Sequence, residues 1–173
     1  MKTTSKKVLL GATTILAVGA GAQNVNAATT DIGINAEIIA AVEITAEQTM
    51  NFGEIAATTA GTLAIDGGGN LTPSTGITSV GGTVQQGEFT LKGDIGRTID
   101  VTAPASVTLN GSVSGTMTVT DFDIDGAGAG ATFSVDLAAA EENDFTLGGT
   151  LNIGAAQAAG TYTGDVTLTA NYQ

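Results

Sequence analysis

From Ile32 onward the even positions read Ile32, Ile34, Ala36, Ile38, Ala40, Val42 and Ile44, against Gly33, Asn35, Glu37, Ile39, Ala41 and Glu43 at the odd ones. A period of two puts the first set on one face of an extended strand. The other end of the chain repeats the pattern: Tyr162, Gly164, Val166, Leu168, Ala170 and Tyr172 alternate with Thr161, Thr163, Asp165, Thr167, Thr169 and Asn171. Fully extended, the stretch from Ile32 to Ile44 measures about 43 Å at about 3.3 Å per residue, whereas most strands have about five or six residues. It therefore divides into a leading arm around Ile32, Ile34 and Ala36 and a first body strand from Ile38 to Ile44. The alternative is one long edge strand of a closed monomer.

Between these ends the chain alternates briefly and turns often. Met50 and Phe52, Leu63 and Ile65, Phe89 and Leu91, Ile99 and Val101, and Val107 and Leu109 are apolar pairs at period two. Asp66 to Asn70 is a loop, Pro104 ends a strand or sits at an edge, and Asn110-Gly111 is a turn signal. Met117 and Val119 continue into Phe122 and Ile124 with a change of parity, which predicts a bulge or a bend. Phe133, Val135 and Leu137 follow, then an acidic loop at Glu141 to Asp144, then Phe145, Leu147, Leu151 and Ile153. About nine or ten strands result. The helix-forming runs Ala138 to Glu142 and Gly154 to Ala159 are too short to nucleate alone. The expected class is all-β, an antiparallel immunoglobulin-like β-sandwich of Greek-key type with an N-terminal extension strand.

Composition narrows the function. Lys2, Lys6 and Lys7, an apolar run from Val8 to Ala22 and the small-residue signal Val25-Asn26-Ala27 read as an export signal over residues 1–27. The expected organisation is thus a signal peptide (1–27), a donor arm (28–37) and a sandwich (38–173), with the product exported and not inserted in the membrane. All seventeen acidic residues lie beyond the signal, against Lys92 and Arg97, so the processed charge is 2 − 17 = −15. Such a chain is repelled by nucleic acid and by anionic lipid. Cysteine, histidine and tryptophan are absent, which removes disulfides, Ser-His-Asp and Cys-His chemistry and the commonest transition-metal ligand. Nothing points to an enzyme or to a cofactor.

The ending Gly160-Thr161-Tyr162-Thr163-Gly164, followed by alternating apolar residues to Tyr172, resembles the last strand of fimbrial subunits assembled by the chaperone-usher pathway. Asn51-Phe52-Gly53, Phe89-Thr90-Leu91-Lys92-Gly93 and Gly148-Gly149-Thr150-Leu151-Asn152-Ile153-Gly154 look like a family of uncharacterised exported bacterial β-domains often associated with fimbrial chaperones. The resemblance implies an incomplete sandwich whose missing strand comes first from a periplasmic chaperone and then, at an outer-membrane usher, from the arm of the next subunit. Ile32, Ile34, Ala36 and Ile38 are then the donor residues, and Tyr162, Val166, Leu168, Ala170 and Tyr172 line the accepting strand. The product is a head-to-tail homopolymer on the cell surface, reached via the periplasm. Two departures stand out: fimbrial subunits commonly carry a cysteine pair, and here the arm runs into the first body strand without a hinge.

Three chemical motifs compete with this expectation. Asp121-Phe122-Asp123-Ile124-Asp125-Gly126 matches the first half of a calcium loop, but Thr132 stands where the bidentate Glu belongs. A strand with Phe122 and Ile124 inward and the three Asp outward explains it equally. Glu141, Glu142 and Asp144 are a conceivable glycosidase pair but read better as a solvated turn, and Gly67-Gly68-Gly69 lacks the Lys of a phosphate loop. The functional alternatives are therefore a fibre subunit, a monomeric exported adhesin or ligand-binding domain whose N-terminal strand completes its own sheet, and, more weakly, a calcium-stabilised surface-layer protein. Calcium is expected to be dispensable for folding. Melting in excess chelator and in millimolar calcium should give the same cooperative transition, and loss of that transition in chelator would overturn the strand interpretation of Asp121 to Asp125.

Overall fold

The computed structural model describes residues 29–130, 132–137 and 142–173. The export signal at 1–27, the predicted first processed residue Ala28 and most of the run from Ala138 to Glu142 lie outside them. The chain divides into two units, Met1–Ala36 and Glu37–Gln173. In the described part of the first, residues 29–36, no strand forms.

The second unit is all-β among the described residues, with every strand pair antiparallel. Its strands are β1 (Glu43–Gln48), β2 (Asn51–Ala57), β3 (Gly61–Ile65), β4 (Leu71–Pro73), β5 (Ile77–Gln85), β6 (Gly87–Lys92) and β7 (Thr98–Thr102). They continue with β8 (Ser106–Gly111), β9 (Thr116–Ile124), β10 (Phe133–Asp136), β11 (Glu142–Ile153), β12 (Tyr162–Thr163) and β13 (Thr169–Tyr172). A large sheet runs β1-β6-β11-β9-β8-β12, with β3 also paired to β11 and β4 to β3, a smaller sheet runs β10-β7-β13, and β2 and β5 form a separate ribbon.

The twelve-residue β11 is the hub. On one edge its first half pairs with β6 and its second half with β3, while β9 runs along the other edge. The change of neighbour falls at Gly148-Gly149, and both glycines are there for space. A Cβ on Gly148 would stand 2.5 Å from the Ile65 carbonyl oxygen, and one on Gly149 3.1 Å from Val119. Opposite Gly149, β9 carries two residues, Asp121 and Phe122, which is the predicted bulge; Asp121 takes a left-handed φ of 51°.

The core forms between the sheets. Leu63, Phe89, Leu91, Val119, Phe122, Leu147, Leu151 and Ile153 of the large sheet meet Ile99 and Val101 of the small one, with Ile77 of the ribbon in the same cluster. Phe133 of β10 meets Phe145 of β11 edge to face at 5.1 Å, tying the sheets together. The outer face of the large sheet is polar and regular around β9. Thr118 stands between Asn152 and Thr108, and Thr120 between Thr150 and Ser106. These rows extend to Thr62 and Ala64 on β3, and a third row sets Asn110 between Thr116 and Thr163.

Several expectations change. The strand expected from Ile38 starts only at Glu43, and Ile38 is 96% exposed, because alternation marks a capacity to pair and β6 offers partners only from Glu43 onward. The stretch from Thr161 to Gln173 is not one strand but two, β12 and β13. Glu142 to Asp144 open β11 instead of forming an acidic loop, since Asp144 pairs with Thr90 of β6. The reversal after β8 comes two residues later than Asn110-Gly111 suggested, closed by a Gly111 N–H to Gly115 carbonyl bond of 3.0 Å. Thirteen strands form among the described residues, with β4 and β5 unforeseen. Gly154 to Ala159, too short to nucleate a helix alone, forms none.

Gly148→Ala forces its new methyl group into the Ile65 and Asp66 backbone, which cannot move without breaking the β3-β11 ladder. A loss of about 1–3 kcal/mol is expected, read as a lower urea midpoint with the slope unchanged. Wild-type stability in this variant would show that the two strands have room to separate.

Candidate functional site: the open edge beside the last strand

The site is built where the chain changes sheets. β12 belongs to the large sheet, pairing Tyr162 with Gly111 and Thr163 with Asn110 of β8. β13 belongs to the small one, pairing Thr169 to Tyr172 with β7. Gly164 still touches β8, for a Cβ there would stand 2.6 Å from the Thr108 carbonyl oxygen. From Gly164 to Leu168 no strand pairs with the chain among the described residues. Yet the alternation persists: Val166 and Leu168 are half-buried and pack against the core, while Asp165 and Thr167 are exposed. Across from them, β8 is paired along Ser106 to Asn110 only by β9, except where β12 takes up its last two residues. Its inward Val107 and Leu109 are likewise only half-buried. The result is a pair of neighbouring segments whose inward apolar side chains are only half-buried and whose backbones form no ladder with each other beyond Thr163.

Tyrosines fix both ends of this stretch. The Tyr162 hydroxyl accepts a 2.7 Å bond from Gln157 Nε2 and donates to the Ala158 carbonyl at 2.6 Å, four residues upstream. A tyrosine bonded back onto its own corner is found at the entry to the penultimate strand of immunoglobulin-like sandwiches, with which this arrangement is compatible. Ala156, at φ 55°, makes the turn that brings the corner round. At the far end the Tyr172 hydroxyl accepts from Asp94 N–H at 2.7 Å and donates to the Ala40 carbonyl at 2.8 Å. One hydroxyl thereby joins the last strand, the β6-β7 loop and the segment leading into β1. Arg97 of that loop lies 3.9 Å from Glu37 and 3.6 Å from Asp94.

Of the predicted accepting residues, Val166, Leu168, Ala170 and Tyr172 pack against the core, and Tyr162 sits in the corner. Of the predicted donor residues, Ile32 is 82% exposed, Ile34 91% and Ile38 96%, with Ala36 exposed as well. Sequence reasoning missed the contribution of β8. Its signal was present in Val107 and Leu109, but a strand edge that lacks a neighbour is a property of pairing and leaves no mark in one strand's pattern.

The chemical motifs fall elsewhere. Phe122 and Ile124 are buried, Asp121 and Asp125 exposed. Asp121 accepts from the Thr120 hydroxyl at 2.9 Å, Asp123 accepts from Gly128 N–H at 2.8 Å, and Asp125 with φ 52° begins the turn. Asp123, Asp125 and Asp66 border a shallow cleft of about 310 Å³ with Gly67 and Gly68. Asp66 is held below the usual carboxylate range, chiefly by the Asn70 side-chain amide, with the Asn70 and Gly68 N–H groups adding to it. These bonds close the loop on itself. Asp144 accepts from the Thr90 hydroxyl at 2.9 Å on the β6-β11 ladder, and Glu141 lies outside the described residues.

A model of the family described as Domain of unknown function (DUF4402) matches residues 42–172, and the chain belongs to that family. No curated protein matches it.

Tyr172→Phe keeps the ring in the core and removes only the hydroxyl, leaving the Asp94 N–H and the Ala40 carbonyl to water. At about 0.5–1.5 kcal/mol per net hydrogen bond, the variant should lose on the order of 1–3 kcal/mol, and the Asp94 amide should exchange faster. Unchanged stability and exchange would mean that the hydroxyl is not a clamp.

Proposed function

We propose that this chain is a structural subunit of a surface fibre, polymerised when the N-terminal arm of one copy enters the gap between β8 and the chain before β13 in the next. The observation that carries the proposal is the stretch from Gly164 to Leu168, which has the length and alternation of a strand and no strand paired with it among the described residues. An extended segment added there pairs with open backbone groups and covers Val107, Leu109, Val166 and Leu168 in one step, which is β-augmentation. The arm has the complementary character: Ile32, Ile34 and Ala36 recur at period two and are exposed. Head-to-tail contacts of this kind do not close on themselves and give filaments. A periplasmic chaperone and an outer-membrane usher are the partners that such a route requires, because an open apolar gap in a free subunit invites aggregation.

The competing proposal is a monomeric exported adhesin whose own N-terminal strand completes the sheet. In this chain β1 pairs with β6, at the opposite edge of the large sheet from β8. Completion by β1 therefore leaves the gap beside β8 as it is, which favours the fibre.

Replacing Ile32 and Ile34 together by Asp should abolish polymer ladders in unheated denaturing gels. Together the two side chains contribute on the order of several kcal/mol of burial in the neighbouring gap. A copy of residues 31–41 linked after Gln173 should then raise the melting temperature of the variant by filling its own gap. Unchanged ladders in the double variant, or a wild-type chain that stays monomeric at all concentrations, would sink the fibre proposal.

A further inference from the structure

Residues 29–173 carry seventeen carboxylates against Lys92 and Arg97, yet the charges are unevenly spread. On the outer face of the large sheet, Glu43, Glu88 and Asp144 share the β1-β6-β11 half with Lys92, and the small sheet's outer face holds Asp100 and Asp136. The three rows centred on β9 contain no charged residue. Thr62, Ala64, Thr118, Thr120, Thr150 and Asn152 are half-buried and Ser106, Thr108, Asn110, Thr116 and Thr163 exposed, and most of the eleven are threonines. Asp121, bonded to the Thr120 hydroxyl at the bulge, marks the rim.

We propose that this uncharged threonine face is a self-association surface on which a second copy of the chain docks, face to face about a two-fold axis. Two copies so rich in carboxylate repel each other, and they come into contact at least cost on a face whose rows carry no carboxylate of their own, the repulsion from its rim being screened over about 8 Å at physiological salt. Around Thr118 the nearest positions along and across the strands are neutral. Threonine suits such a contact, since its methyl group buries apolar surface while its hydroxyl both donates and accepts, so no charge is desolvated. A flat polysaccharide is the weaker fit, because no aromatic ring stands in these rows to stack against sugar. Eleven positions, each about 4.8 Å by about 6.8 Å, make on the order of 350 Å² per copy. That falls short of the about 800 Å² per partner of a standard interface, so the contact is reversible and matters most where copies are already aligned. It needs neither the arm nor the open edge, and the Ile32→Asp, Ile34→Asp variant retains it.

The chain has no cysteine, so single-cysteine variants of the whole exported chain test this without background. Mild oxidation of Thr118→Cys should give disulfide-linked dimers, while Asn171→Cys, on the outer face of the small sheet, should give at least about tenfold fewer, as expected where like charges meet. In sedimentation velocity the wild-type association should strengthen as sodium chloride rises, because salt screens repulsion. Thr118→Asp should weaken it about tenfold or more with an unchanged melting curve, and Thr108→Asp on the exposed β8 serves if the first variant misfolds. Equal cross-linking at both cysteines, weakening by salt, or full association of both Asp variants would overturn the proposal. So would a chain that stays monomeric but is retained on insoluble cellulose through Thr118, which would make the face a glycan surface instead.

Discussion

A backbone N–H or C=O group taken out of water has to find a partner, and the large sheet meets that demand by routing its ladders through β11. The strand bonds β6 and then β3 along one edge and β9 along the other. Everything that makes this possible is local to it: glycines where the Ile65 carbonyl and the Phe122 ring approach, and a bulge on β9 that absorbs the change of register. Away from this hub the ladders shorten. β4 has three residues and β12 two, and short strands at a sheet margin are a common defence against unwanted pairing. The gap before β13 is where that defence is absent, since the chain must leave one sheet and reach the other within five residues and cannot follow either ladder on the way.

Charge is organised by the same scarcity of partners. With so few bases, most carboxylates on the sheet faces are met by hydroxyls and amides: Asp136 by Thr98, Asp100 by Ser134 and by Gln173 Nε2 at 2.8 Å, Asp144 by Thr90. The threonine content thus does more than favour strands. It supplies donors that spare the acidic faces from needing ion pairs, which are worth little at an exposed surface in any case. Thr90 is the clearest instance, 4% exposed on the outer face of β6 beneath Asp144 and Glu47.

What could be read from the sequence was set by whether the determining interaction lies within one strand. The inward positions of β3, β6, β7 and β11 follow from alternation, and the bulge follows from the parity change between Val119 and Phe122. β5 escaped because Ile77 and Val84 are an odd number of residues apart. Only the Gly81-Gly82 irregularity, with φ of 151° and 78°, restores them to one ribbon. The break in the last strand escaped for another reason: Val166 and Leu168 keep perfect alternation while having no ladder, so the pattern is identical for a paired stretch and for an unpaired one. The neutral face was invisible because its rows join residues from β3, β11, β9 and β8 that are far apart in sequence.

The two proposed surfaces, the unpaired edge and the neutral face, answer to one physical restriction on how a strongly acidic chain could recognise itself. Ion-paired interfaces need both signs in quantity, and Lys92 and Arg97 cannot supply enough of one. Disulfide linkage is closed to a chain without cysteine. What remains is recognition through groups that carry no charge, and a β-fold has two kinds to offer. One is the backbone at an open edge, whose pairing is strong, directional and indifferent to net charge. The other is a sheet face cleared of carboxylates, whose contact is weaker and grows as salt screens the rest of the molecule. In the proposed assembly the first would act along a fibre and the second between fibres, and neither contact calls on histidine, cysteine or tryptophan, which the chain lacks.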